Sequence, residues 1–348
     1  MMLTRISVKG FKSLADVEVE LGQVNVFVGA NGSGKTNFLE SVALLSAVFD
    51  TRNPAQFNSR AILERGARPD ASFSSFDEIV NKDVLSIKAT TETDLNISLS
   101  AWRTDSEYLF FSTIADYAVF SPNTSVLCGT MSDFGQRKPV GLSGGQLAEA
   151  VEDLLDNERG MFGSIELDDL FELLDWVDEI AVVRPSHELL DSNVPALRSI
   201  IRFTDRRISE GCNQFSAYNA SEGALYVLFA LALAMHPDSP ELFAIDNFDH
   251  AMHPRLARAT TRAFCDQMLK TDPPRQALLT THNPLTLDGL DLRDDRIRLF
   301  TVERNDYGAT EVHRVQVSDK VLQSTDEKGF SLSRLWIMGR LGGVPDLF

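Results

Sequence analysis

Eight residues near the start of the chain, Gly29-Ala-Asn-Gly-Ser-Gly-Lys-Thr36, carry the full spacing G-x-x-x-x-G-K-[ST]. That spacing makes a phosphate cradle. The glycines let backbone N–H groups curl around phosphate oxygens, with Asn31, Gly32, Ser33 and Gly34 forming the wall of the loop. Lys35 brings a positive charge to the β- and γ-phosphates, and Thr36 offers a hydroxyl to Mg²⁺. Asn37 lies at the start of the helix that follows, whose N-terminus adds a partial positive charge. The ligands these residues predict are ATP and Mg²⁺.

Such a metal needs a second oxygen ligand, and Leu242-Phe-Ala-Ile-Asp246 supplies one, four apolar residues ending in a carboxylate. About 36 positions further on, Ala277-Leu-Leu-Thr-Thr-His282 repeats the form and ends in an imidazole that would reach a γ-phosphate from the adjacent strand. Alone, His282 would read as a capping histidine; three strand-end polar groups in this order favour the nucleotide role. Both runs have the continuous apolar or β-branched character of buried parallel strands. The glycine loop is fed by Val24-Asn-Val-Phe-Val28 and followed by a helical stretch, the context a phosphate loop requires.

Further out, residues 4–10 and 15–21 alternate as strands around the corner Phe11-Lys-Ser-Leu14. Residues 50–125 hold short alternating runs, Leu95-Asn-Ile-Ser-Leu-Ser and Glu107-Tyr-Leu-Phe-Phe-Ser among them, that predict an antiparallel meander. From 145 to 180 the period is helical with acidic residues outward, including an amphipathic helix over 166–179. The tail, with Trp336, is expected to pack on the core or on a partner chain.

Composition narrows the classes. The chain has 348 residues, 43% of them hydrophobic, enough for a large core. Its net charge of −17 argues against a self-sufficient nucleic-acid binder, because phosphate contacts supply most of such affinity, but leaves room for a basic groove on an acidic body. Two arginine groups stand out: Arg202, Arg206 and Arg207, and then Arg255, Arg258 and Arg262 at helical spacing. Each reads either as a solvated face paired with acidic neighbours or as a strip facing nucleic acid or a partner. No apolar run approaches the ~18–20 residues that span a bilayer, and the N-terminus runs straight into a strand pattern without a leader. Three scattered cysteines match no metal spacing, so reduced thiols and a cytoplasmic location are expected.

Phe11-Lys-Ser-Leu14, the glycine loop with Asn37-Phe-Leu-Glu40, Ser221-Glu-Gly, Asp246 with His253-Pro254, and Thr280-Thr-His-Asn-Pro284 together resemble ABC-type ATPases. The resemblance is to the soluble branch of SMC, RecF and OLD-like proteins, and within it to stand-alone bacterial ATPases of phage-defence loci. It covers both ends of the chain, about 1–45 and 215–290, and the tail from Leu332 is similar as well. It implies a homodimer in which one subunit's signature helix caps the γ-phosphate held by the other's loop. Leu142-Ser-Gly-Gly-Gln146 matches the transporter signature letter for letter. However, the family's signature lies shortly before the metal carboxylate; Ser143 lies about 100 residues before Asp246 and Ser221 about 25. Ser221, Glu222 and Gly223 are therefore assigned as the signature, with Ser221 able to cap the helix it opens. Leu142–Gln146 is read as a serine-capped turn.

The resemblance also exposes a departure. A glutamate that polarises the attacking water normally follows the metal carboxylate; here the residue is Asn247, with Asp249 two positions later. Asn247 cannot act as a general base, though its amide could orient water. Three outcomes stay open: slow hydrolysis through Asn247, Asp249 as a substitute base, or essentially no hydrolysis.

The expected fold is α/β: an ABC-type P-loop NTPase head with an antiparallel β layer, a mostly parallel core sheet and an inserted lobe. Its nucleotide core would comprise 1–50 and 200–315, the lobe 50–200 and the tail 316–348. The insertion lacks the sustained heptads of an SMC arm, and too few residues follow His282 for an OLD-like nuclease. Three functions remain: an ATPase switch for a separately encoded nuclease or toxin in antiphage defence or a toxin–antitoxin pair, a DNA-repair or DNA-structure ATPase acting on nucleic acid, and a non-hydrolysing ATP-dependent scaffold. The first is preferred on the resemblance. No membrane partner is expected.

Overall fold

Phe27 lies fully buried between the rings of Phe38 and Phe300, each 4.9 Å away between centroids. The strand that feeds the glycine loop thus meets the helix that follows the loop and a strand from near the other end of the chain. The computed structural model describes residues 2–50, 59–68, 86–92, 96–98, 114–133, 135–185, 199–316 and 331–341. Contacts divide the chain into two units: Met1–Val119 with Pro240–Phe248 and Met268–Phe348, and Phe120–Ser239 with Asp249–Gln267.

In the first unit a six-stranded sheet runs in the order Thr310–Arg314, Ile297–Arg304, Val24–Val28, Gln276–Thr281, Leu242–Ile245, Ala118–Phe120. Ile297–Arg304, Val24–Val28, Gln276–Thr281 and Leu242–Ile245 pair in parallel, and Thr310–Arg314 closes one edge as an antiparallel hairpin. Val24–Val28, Gln276–Thr281 and Leu242–Ile245 are buried along their whole length, which is why they read as unbroken apolar or β-branched runs.

A second, antiparallel sheet of the same unit has the order Leu14–Glu20, Leu3–Phe11, Ser86–Thr91, Asn96–Ser98. Its buried side chains, among them Leu3, Ile6, Val8, Val17 and Val19, share one core with Phe27, Leu278 and Phe300. The helix Lys35–Asp50 touches strands of both sheets and is buried all round from Phe38 to Val48. Gln276 ties the sheets together: its side chain accepts from the Leu3 N–H (2.9 Å) and donates to the carbonyls of Leu3 (2.8 Å) and Gly22 (2.6 Å). Within that helix, Glu40 is buried between Lys12 Nζ (2.6 Å) and Arg68 Nε (2.9 Å). The hydrogen bond and charge of Glu40 raise the Arg68 pKa in return.

The second unit combines the helices Leu147–Leu154, Leu167–Leu173 and Glu222–Met235, most of the helix Pro254–Met268, and the antiparallel sheet Val177–Val183, Ile200–Asp205, Gln214–Ser216. Glu222–Met235 is buried from Gly223 to Ala234. A small three-stranded sheet joins Leu155–Asp156, Met161–Phe162 and Ile165–Glu166.

One expectation is corrected. The helix over 166–179 stops at Leu173, and Val177–Val183 is a strand. Pairing with Ile200–Asp205 and packing of Trp176 on Phe203 (centroids 5.5 Å apart) override the helical period, and Glu179 pairs across the strands with Arg202. Ser86–Thr91 pairs with Leu3–Phe11, so the N-terminal β layer continues into the stretch expected to be an inserted lobe. By contacts, Phe120–Ser239 forms one unit with Asp249–Gln267. Of the expected meander, Asn96–Ser98 pairs with Ser86–Thr91, whereas Glu107-Tyr-Leu-Phe-Phe-Ser lies outside the described residues. In the tail, the helix Leu332–Ile337 buries Leu335 and Trp336, and Ser333 donates to Asp288 through its N–H (2.9 Å) and hydroxyl (2.7 Å). Among the described residues, no helix is long and apolar enough to cross a membrane.

Two predictions follow from the packing. Phe27→Ala should destabilise the first unit by about 3–5 kcal/mol, the usual cost of removing a buried ring, read as a fall in its urea midpoint; a change within error would contradict the shared core. Burial, and then Asp266, push the Cys265 thiol up to about 12, while Cys212 is exposed. At pH 8 a thiol reagent should label Cys212 in the folded protein and Cys265 only after unfolding, since the thiolate is the reactive species.

Candidate functional site: a phosphate loop and its metal carboxylate

The loop leaves Val28 at the end of a fully buried strand. Gly29 sits so close to the neighbouring strand that a Cβ there would lie 2.1 Å from the Val302 carbonyl oxygen. Gly34 has φ +108°, and a Cβ on it would lie 2.0 Å from Thr310 Oγ1. Both positions therefore require glycine. Asn31 and Gly32 are exposed, whereas Ser33, Gly34 and Lys35 are buried. Lys35 Nζ reaches back over the loop and donates to the carbonyls of Gly29 and Ala30, 2.8 Å each. Ser33 Oγ is buried with no hydrogen-bond partner. Asn37 spends its side-chain N–H on Ser13 Oγ at 2.7 Å.

Strand register assembles the rest. Ile245 pairs with Leu279, and Thr281 with Val28. Asp246 therefore leaves its strand beside Thr280, and His282 leaves its strand beside Gly29. Thr280 Oγ1 donates to Asp246 Oδ1 at 2.5 Å, and Thr36 Oγ1 lies 3.1 and 3.2 Å from the two Asp246 oxygens. Thr280 also holds the next two residues, accepting from the Asn247 N–H through its hydroxyl (2.9 Å) and from the Phe248 N–H through its carbonyl (3.0 Å). Asn247 has φ +55°, a left-handed conformation that asparagine tolerates better than most residues, and its side chain is exposed. His282 is exposed at its strand end.

Unlike Glu40, Asp246 has no salt bridge among the described residues; its hydrogen-bond partners are the two threonine hydroxyls. Nearby Tyr117 registers this negative charge: its pKa is raised well above the ordinary value by burial, then by Asp246 and Glu40. A carboxylate and a hydroxyl are hard oxygen ligands of the kind Mg²⁺ takes. Orphaned Ser33 Oγ and the Lys35 ammonium are the donors a phosphate would use, so the residues present fit ATP and Mg²⁺. Sequence reasoning overlooked Thr280 as a participant, although a hydroxyl at the end of an otherwise apolar buried strand is a readable signal.

The other assigned residues lie in the second unit. Ser221 holds the N-cap position of Glu222–Met235, but its side chain makes no capping bond, contrary to expectation. Ser221 and Glu222 are exposed, and Gly223 is buried against Leu256 and the Ala251 carbonyl. The look-alike Leu142–Gln146 forms a turn, as expected, but no serine caps it. Instead Asp133 accepts from the N–H groups of Ser143 (3.0 Å) and Gly145 (3.1 Å), filling the anion-binding side of the turn with the chain's own carboxylate. Asp249 is buried, 4% exposed.

The two arginine groups differ. Arg202 pairs with Glu179, Arg207 with Asp175, and Arg206 donates to the Val177 carbonyl. Arg255, Arg258 and Arg262 lie exposed on the helix Pro254–Met268 and form no ion pair with any described residue.

Comparison with known proteins finds likenesses to ATPase domains. Residues 1–126 match a family model described as "AAA ATPase domain". Residues 140–288 match one described as "AAA domain, putative AbiEii toxin, Type IV TA system". The DNA replication and repair protein RecF of Phocaeicola vulgatus is 44% identical over 55 residues, 16% of this chain and 15% of that protein. RecF of Halothermothrix orenii is 45% identical over 56 residues, again 16% and 15%. The chain thus matches only about 15% of the length of these curated relatives. Among solved structures, the Smc head domain with an extended coiled coil bound to the C-terminal domain of ScpA, from Pyrococcus furiosus, superposes with a TM-score of 0.50. That match covers 94% of this chain and 99% of that one at 12% identity, a likeness of fold. The two family models are ATPase domains, and the likeness of the chain is to ABC-type ATPases of the SMC/RecF-like kind.

Lys35→Ala should weaken ATP binding by about 10–150-fold, the range for losing a charge-assisted hydrogen bond. Asp246→Asn should remove the gain in ATP affinity that Mg²⁺ gives the wild type, so that EDTA has little further effect. Calorimetric titration with and without Mg²⁺ checks both.

Proposed function

We propose that the chain binds ATP·Mg²⁺ in the loop of residues 29–36 and pairs with a second copy whose Ser221-Glu222-Gly223 completes the site. The ATP-held dimer would serve as a sensor or switch for a separately encoded nuclease or toxin, in antiphage defence or a toxin–antitoxin pair. Lys35 and the N–H groups from Asn31 to Asn37 hold the phosphates, and Thr36 and Asp246 hold Mg²⁺, which when bound neutralises charge on the phosphate oxygens. The observation that carries the dimer reading is the signature helix start. Ser221 and Glu222 stand exposed at the end of a helix buried from Gly223 to Ala234, with the serine hydroxyl uncommitted to capping. A helix N-terminus in that state suits an anion supplied from outside the unit. The effector half of the proposal draws on the toxin–antitoxin family model matched by residues 140–288. A nucleotide core interrupted by a separate lobe, in a cytoplasmic protein, belongs to the same proposal.

Slow turnover is also part of it. Exposed Asn247 stands where the family has glutamate, and Asp249 is buried, which favours water orientation by an amide over general-base catalysis by Asp249. His282 is assigned to sensing the γ-phosphate. A second reading, action on DNA, is favoured by the unpaired strip Arg255, Arg258, Arg262; ATP-dependent, salt-sensitive DNA binding by the isolated protein would support it. The third, a scaffold that keeps its ATP, follows if assembly needs ATP and turnover is undetectable.

Purified protein at saturating ATP·Mg²⁺ should turn over on the order of 10⁻² s⁻¹ or slower, far below the ~10 s⁻¹ of a typical enzyme. Asn247→Ala should lower that rate and Asp249→Ala should spare it. Brisk hydrolysis that vanishes in Asn247→Ala would sink the slow-switch proposal.

A further inference from the structure

The hairpin Ile297–Arg304 and Thr310–Arg314 lies outside the segments matched by both family models, yet it holds the phosphate loop from behind. Thr310 Oγ1 donates to the Ser33 carbonyl at 2.8 Å. Arg304 Nε donates to the Gly32 carbonyl at 3.0 Å. Ser13 Oγ lies 2.7 Å from Thr310 Oγ1 and accepts from Asn37 Nδ2 at 2.7 Å, while the Thr310 N–H donates to the Ser13 carbonyl at 2.8 Å.

Proton counting gives these contacts a direction. A hydroxyl has one proton to donate. Thr310 spends its proton on Ser33, so Ser13 must donate to Thr310, and Ser13 then accepts from Asn37. The chain runs one way, from Asn37 through Ser13 and Thr310 to the Ser33 carbonyl. It begins and ends within the loop and the first turn of its helix, and it passes through the N-terminal corner and the C-terminal hairpin. The peptide that joins Ser33 to Gly34 is planar and trans, so its carbonyl and its N–H point in opposite directions. Fixing the Ser33 carbonyl on Thr310 turns the Gly34 N–H away from the hairpin, where no described residue accepts it. Gly34 cannot carry a side chain because Thr310 fills that space.

We infer that Thr310 and Ser13 are positioning residues that set the peptide orientation of the phosphate loop, aiming the Gly34 N–H at a bound phosphate. The inference rests on residues 29–36 being the ATP site. The N–H groups of such a loop serve the α- and β-phosphates, so ATP and ADP depend on this positioning alike.

The test uses the full chain and measures calorimetric affinities for ATP·Mg²⁺ and ADP·Mg²⁺, with the nucleotide-free melting temperature alongside. Thr310→Val keeps the shape but leaves the Ser33 carbonyl without its donor; Thr310→Ser keeps the hydroxyl. The expected result is a loss of about tenfold or more for both nucleotides in Thr310→Val. Thr310→Ser should stay within about threefold of wild type, and the valine and serine variants should melt within about 2 °C of each other. Wild-type affinity in Thr310→Val, with binding lost in Lys35→Ala, overturns the inference and leaves the ATP site standing. Equal nucleotide affinity in wild type and Lys35→Ala overturns the ATP-site reading itself. Should Thr310→Val melt early, Ser13→Ala decides: a parallel loss of ATP and ADP affinity at wild-type melting temperature supports the inference, and unchanged affinity overturns it.

Discussion

The parallel register of three buried strands is the constraint on which the nucleotide site depends. With Ile245 opposite Leu279 and Thr281 opposite Val28, Asp246, Thr280, His282 and Gly29 must leave the sheet at one edge. A slip of one residue would carry Asp246 away from Thr280 and turn every side chain of the strand to the opposite face of the sheet. The strands cannot slip cheaply, because all three are buried and Phe27 is wedged between Phe38 and Phe300. Packing energy spent deep in the core thereby becomes positional precision at the loop.

Around that edge the protein handles its charges in two ways. Glu40 is buried and paired with Lys12 and with the exposed Arg68, and the Lys12 contact ties the loop helix to the N-terminal corner. Asp246 is held only by hydroxyls, which orient a carboxylate without neutralising it. The proposed Mg²⁺ site would need the second arrangement, since a lysine or arginine on Asp246 would compete with a cation. The arginines repeat the contrast: one group is consumed by neighbouring acids and carbonyls, and the other has no ion pair among the described residues.

Much of the site was legible in the sequence because its chemistry is local. The glycine loop and the strand ends before Asp246 and His282 are contiguous patterns, and the strands form where those patterns put them; the choice of Ser221 over Ser143 rests on a longer spacing and stays a proposal. What was missed depends on contacts across the chain. Thr310 acts on Ser33 from 277 positions away, and a threonine in a polar hairpin gives no hint of it. Asp133 fills the Leu142–Gln146 turn that a serine was expected to cap, and only the folded loop brings its carboxylate there. Residues 177–179 carry a helical pattern, but the partner strand Ile200–Asp205 decides otherwise. Ser221 was placed at its helix start correctly and given a capping bond it does not make.

The central claim is that two copies share each ATP, and mixing two defective copies tests it most directly. Lys35→Ala lacks a working loop but keeps its signature; Ser221→Arg lacks a working signature but keeps its loop. Each alone should remain a monomer in ATP·Mg²⁺ by light scattering. An equimolar mixture should form a dimer that holds one ATP, because the loop of one copy meets the signature of the other. A mixture that stays monomeric, while the wild type dimerises with ATP, would contradict a site shared between copies.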